Sequence, residues 1–111
     1  MHVFAGLRVR DFQAALPWYR GMFGEPTMFP NDTEAVWTLA EGASVYIVEH
    51  RDGAGSCVAT IFPDDLDAHV AAAAEHGIEP VERETYDNGV RKITYRDPDG
   101  NELGFGGMPS S

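Results

Sequence analysis

The side chains of this chain best suited to hold a transition metal are His2, the neighbours Glu49 and His50, and Glu102. Imidazole nitrogen and carboxylate oxygen together suit Zn, Ni, Mn or Fe. The plainer reading makes His2 a frayed terminal residue and Glu49 and His50 a polar strand end. His69 and His76 stand seven apart in a helical stretch and so share a face, which reads as solvated, with His76 favoured by the helix dipole. The single cysteine, Cys57, lies in the apolar run "CVATIF" with no adjacent cation, and reads as a small buried hydrophobe rather than a reactive thiol. No Ser/His/Asp set has recognisable local context and no P-loop is present. "GFGG" is not a dinucleotide fingerprint, because no helical pattern follows it.

The elements that would carry these residues fall into two similar halves. "HVFAGLRV" alternates, with Val3, Ala5, Leu7 and Val9 on one face and His2, Phe4, Gly6 and Arg8 on the other. Asp11 reads as a helix N-cap, Phe12, Leu16, Tyr19 and Phe23 recur at helical spacing, and Gly24 stops the run. Pro17 inside that helix removes one backbone hydrogen bond and should bend it. "GEPTMFPNDTE" reads as loop, and "AVWTLA" and "SVYIVEH" as strands. The plan then restarts. "CVATIF" is a strand and "PDDLDAHVAAAAEHG" a helix starting at Asp64 or Asp65. "PVERETY" and "VRKITYRD" form a hairpin around "DNG", and "NELGFG" is a last strand. The repeat predicts an α+β fold of two β-α-β-β-β modules, at about residues 1–50 and 57–107, forming a curved mixed sheet around a cleft within one domain of residues 1–111.

The totals narrow the function classes. A formal charge of −10 over 111 residues would repel phosphate backbones, so nucleic acid and anionic membranes are not expected partners, whereas a cationic ligand would be attracted. No stretch approaches the ~20 apolar residues of a membrane span. One cysteine and no recognisable export signal make cytoplasm the expectation.

"LRVRDFQAALPWYRGMFGE" followed by "YRDPDGNELGF" resembles the vicinal oxygen chelate superfamily. That superfamily holds glyoxalases, extradiol dioxygenases, fosfomycin-inactivating thiol transferases and metal-free bleomycin-resistance proteins. The resemblance covers essentially the whole chain. It implies metal ligands on the first strand of each module and four residues after the glycine of the DPDG turn, and here those positions hold Phe4, Val58 and Gly104. The remaining ligand would fall in "VYIVEH". Phenylalanine, valine and glycine offer no side-chain lone pair, which argues for a metal-free cleft, no cofactor and no catalytic residue. Gly104 would then leave space where the enzymes place an anion. Gly106 would loosen the chain before a terminal "GGMPSS" that is mobile or lies on a partner.

By strand parity the cleft would be lined by Phe4 and Arg8, by Tyr46, Val48 and His50, by Val58, Thr60 and Phe62, and by Glu102 and Gly104. Such a lining suits a flat, cationic ligand held by stacking. The resemblance to the resistance proteins implies sequestration by a homodimer whose chains together form the clefts. Two alternatives stand beside it. One is a metal-dependent lyase, isomerase, dioxygenase or transferase using the displaced ligands His2, Glu49, His50 and Glu102, or a metal-free reaction with Arg8 or those groups in acid-base roles. The other is a non-catalytic interaction module.

Overall fold

The computed structural model describes residues 1–109; Ser110 and Ser111 lie outside the described residues. Each module builds its own four-stranded mixed sheet. The first contains β1 (Val3–Val9), β2 (Met28–Asn31), β3 (Glu34–Ala40) and β4 (Ala43–Glu49) in the order β1-β4-β3-β2. The second contains β5 (Val58–Ile61), β6 (Glu82–Thr85), β7 (Arg91–Arg96) and β8 (Glu102–Gly107) in the order β5-β8-β7-β6. In both, the first strand runs parallel to the last and the remaining pairs are antiparallel. The two sheets are separate ladders.

Helix α1 (Phe12–Phe23) starts as the pattern requires: the Asp11 carboxylate accepts the Ala14 N–H at 3.2 Å. It runs through Pro17 and stops at Gly24, whose φ of 84° is open to glycine at little steric cost. Helix α2 (Leu66–Glu75) is capped by Asp65, which resolves the choice between Asp64 and Asp65. A single 3-10 turn, Arg51–Gly53, joins the modules. Strand β2 lies in the stretch read as loop. It carries Pro30 and is exposed throughout, and proline is tolerated there because β2 is the sheet edge.

The helix-facing side chains of both sheets and both helices merge into one apolar cluster. Leu7, Val9, Val45 and Ile47 from the first sheet and Leu103 and Phe105 from the second are buried in it. Phe23 sits between Trp37 and Phe105, with ring centroids 5.9 Å and 6.3 Å away, so α1 belongs to both modules at once. Trp37 is buried with its indole N–H donating to the Gly24 carbonyl at 2.8 Å, which pins the end of α1 to β3.

The turn after β7 closes the junction between the modules. Asp97 Oδ1 accepts the N–H groups of Asp99 and Asn101, and Asp97 Oδ2 accepts the Tyr19 hydroxyl at 2.6 Å and the Asn101 amide at 2.8 Å. Asn101 is fully buried. Its Nδ2 also donates to the Arg8 carbonyl at 2.7 Å, and its Oδ1 accepts from Gly55 N and Cys57 N. The RDPDGN motif is thus a polar staple that joins the end of β1, helix α1, the start of β5 and β8. Gly100 turns it with a φ of 99°.

Candidate functional site

Each sheet turns one face away from the common core. On the first sheet that face holds Phe4, Gly6 and Arg8 of β1 and Tyr46 and Val48 of β4, with Val45 and Ile47 buried on the other side. Phe4 is 55% exposed and meets the Tyr46 ring edge-on at 6.4 Å, while His2 stacks on Phe4 at 4.5 Å. Arg8 stands at the module junction, where its backbone N–H points to the Cys57 sulfur at 3.4 Å. Cys57 is half-buried there rather than enclosed in the core.

On the second sheet the outward face holds Val58, Thr60, Glu102, Gly104, Gly106, Lys92, Thr94 and Arg96 by register, together with Glu82 and Glu84 of the edge strand. This face is largely charged, not aromatic. Glu102 pairs with Arg96 at 3.4 Å and with Lys92 at 3.9 Å. Glu84 is held above the usual carboxylate range, first by its hydrogen bond with Glu82 and then by desolvation and by charge repulsion from Glu82. Glu82 and Glu84 thus crowd the edge of a face that also carries Lys92 and Arg96.

The glycines on these faces are not openings. A Cβ on Gly104 would lie 3.0 Å from Lys92 Cε, so the lysine stem already covers the space expected to be free. A Cβ on Gly106 would lie 2.7 Å from the Phe62 ring. Gly106 is buried within β8 rather than loosening a tail, and Gly107 closes the same strand. The Tyr46 ring covers Gly6 in the same way. In each case a side chain lies flat against the sheet where a neighbour lacks a Cβ.

The donors proposed for a displaced metal site are engaged elsewhere. His2 Nε2 is 2.7 Å from Ser44 Oγ. Glu49 Oε1 accepts the Phe12 N–H at 3.0 Å and so caps α1. His50 Nδ1 accepts the Gly53 N–H at 3.0 Å and lies past the end of β4, not on its cleft-facing side. Glu102 is ion-paired as described. Among the described residues no three His, Cys, Asp or Glu side chains come together in a group that could hold a metal ion. The positions at which the resemblance implies metal ligands hold Phe4, Val58 and Gly104, whose side chains do not fit a metal.

A well-formed cavity lies elsewhere. It measures about 490 Å³ and opens between the two modules on their helix side. Of the residues expected to line a cleft, Thr60 and Phe62 reach it, whereas Phe4, Arg8, Tyr46, Val48, His50, Val58, Glu102 and Gly104 do not. Sequence parity missed it because Val3, Ala5, Val45 and Phe105 read as helix-facing core. His69 lines it too, half-buried and lying against the Phe105 ring at 4.2 Å, instead of on a solvated helix face.

The model of the Glyoxalase/Bleomycin resistance protein/Dioxygenase superfamily matches residues 2–105. The chain belongs to this superfamily. Within it, the chain is 53% identical to the glyoxalase / bleomycin resistance protein from Catenulispora acidiphila, with 98% of this chain and 99% of that one covered at a TM-score of 0.94. It shares its fold with the bleomycin resistance determinant encoded on transposon Tn5, at 16% identity, coverage of 97% and 98%, and a TM-score of 0.78. The same holds for lactoylglutathione lyase from Agrobacterium tumefaciens, at 20% identity, coverage of 96% and 92%, and a TM-score of 0.76. No curated protein sequence matches the chain. Among the described residues no helix is long and apolar enough to cross a membrane.

Proposed function

We propose that this superfamily member binds a small, cationic aromatic molecule without a metal ion and acts by sequestering it. The observation that carries this reading is the donor set: phenylalanine, valine and glycine stand at the superfamily's metal positions, and His2, Glu49, His50 and Glu102 are each committed to another partner. Two outward faces of complementary character support the choice of ligand. One presents Phe4 and Tyr46 for stacking, and the other presents Glu82 and Glu84 for a positive charge. Both lie open in a single chain, so a homodimer that sets the first sheet of one chain against the second sheet of the other would close them into a cleft. A glyoxalase-type reaction would first require His2 to leave Ser44 and Glu102 to leave Arg96.

Calorimetric titration of chelator-treated protein with Zn²⁺, Ni²⁺, Mn²⁺ and, anaerobically, Fe²⁺ tests the reading. No saturable heat is expected for any of the ions. Binding near one ion per chain at micromolar affinity or tighter, abolished by His2→Ala or Glu102→Ala, would overturn it. A screen of cationic aromatic compounds then follows, with Phe4→Ala and Glu84→Gln each expected to weaken a genuine ligand.

A further inference from the structure

The cavity between the modules has a built shape. On the core-facing side of β1, Val9 and Leu7 are fully buried whereas Ala5 is half-buried and Val3 exposed, and on β4 Ile47 and Val45 are buried whereas Ala43 is half-buried. The modules are stapled where β1 ends and β5 begins, at Asp97 and Asn101, and they part toward the start of β1 and the end of β5. Ala5 and Ala43 are too small to fill the wedge. At about 490 Å³ it has the size of a small-molecule pocket.

Its walls are apolar, with Ala5 and Val45 from one sheet, Ile61 and Phe105 from the other, and Phe23 from α1. His69 supplies a directional polar group. Its Nε2 lies 3.2 Å from Met22 Sδ. A thioether only accepts, so this contact assigns the proton to Nε2 and leaves Nδ1 as the acceptor nitrogen. Asp64 adds a carboxylate to the lining.

We infer that this wedge is a second ligand site, separate from the outward sheet faces, which takes a flat aromatic molecule bearing one O–H or N–H group donated to His69 Nδ1. The ring would lie among Phe23, Ile61 and Phe105. Burial lowers the pKa of His69 and so favours the neutral ring that can accept this bond.

The test uses 2-naphthol and its methyl ether, 2-methoxynaphthalene, which share a ring system and differ in the donor. Both are titrated into the full chain while backbone amide shifts are followed by NMR. 2-Naphthol is expected to saturate, to shift Ala5, Val45, Ile61 and Phe105, and to bind about 2- to 10-fold tighter than the ether, the worth of one hydrogen bond. His69→Leu should remove that preference, and Ala5→Leu, which fills the wedge, should abolish binding by both compounds. Equal affinity for the two compounds in the unmodified chain would overturn the role of His69 without depending on any variant folding. Absence of saturation, or shifts centred on Phe4, Tyr46 and Val58, would overturn the site. The second of these outcomes would leave the outward-face reading standing, so the two proposals fail separately.

Discussion

The Tyr19 hydroxyl donates to Asp97 Oδ2 at 2.6 Å across 78 residues of sequence, and both side chains are buried. Burial first, and the Asp97 carboxylate second, raise the pKa of Tyr19 well above the ordinary tyrosine range, so the phenol stays protonated and remains the donor. Tyr19→Phe should cost about 1–3 kcal/mol, since Asp97 keeps its bonds to Asn101 but loses a buried charge-assisted partner. Asn101→Ala should cost more, about 2–5 kcal/mol, because Gly55 N, Cys57 N and the Arg8 carbonyl lose their partner together. Urea unfolding followed by tryptophan fluorescence measures both. Unchanged midpoints would mean that the staple does not hold the junction.

Gly106 and Phe62 should behave as a coupled pair. Gly106→Ala places a methyl group 2.7 Å from the ring of Phe62, which is 57% exposed and can turn aside, so the change should destabilise by about 1 kcal/mol, at the low end of overpacking costs. In a Phe62→Ala background the same change should cost far less. A double-mutant cycle by chemical denaturation reads the difference, and additive costs would show that the ring does not rest on Gly106.

His69 gives a pH dependence with a definite sign. Burial holds its pKa below the ordinary 6.5, so the unfolded chain takes up this proton first as the pH falls. The stabilisation is therefore complete above that value and declines below it, until the buried ring protonates as well. The groups it faces, Met22 and Phe105, are neutral, and Asp64 lines the same cavity. Melting temperatures over about pH 5 to 8 should fall more steeply on the acid side for the native chain than for His69→Leu. Parallel curves would refute the assignment.

Association is expected to run through the outward sheet faces. Phe4→Glu and Val58→Glu alter side chains that are 55% and 64% exposed, so each should leave the monomer folded. Both should shift a dimer toward monomer in sedimentation velocity. Dimers that persist in both variants would place the contact on another surface.

Strand periodicity and helix caps carried most of the fold. Alternation in "HVFAGLRV" set the buried side of β1 correctly, and Asp11 and Gly24 bounded α1, because local hydrogen bonding and glycine geometry determine those points. Strand β2 was illegible because Pro30 and Asn31 read as turn formers, and only pairing with β3 makes them a strand. The covering of Gly104 by Lys92 and of Gly106 by Phe62 depends on cross-strand neighbours, which parity does not supply. The wedge was hidden for a related reason. Its walls are core-facing residues that periodicity assigns to packing, and the gap arises from how two modules splay about a junction that no single element encodes.

The staple also sets an order of events during synthesis. Residues 97–101 leave the ribosome after three of the segments they join: β1 with Arg8, α1 with Tyr19, and the link through Gly55 and Cys57. Until they emerge, Tyr19 has no acceptor, the Arg8 carbonyl has no donor, and Phe23 lacks Phe105. The first module can pair its strands on the ribosome, yet it cannot complete its own helix packing. The nascent chain would therefore carry an exposed aromatic surface through most of its translation, and a late pause ahead of the DPDG codons would lengthen the period in which chaperones must cover it.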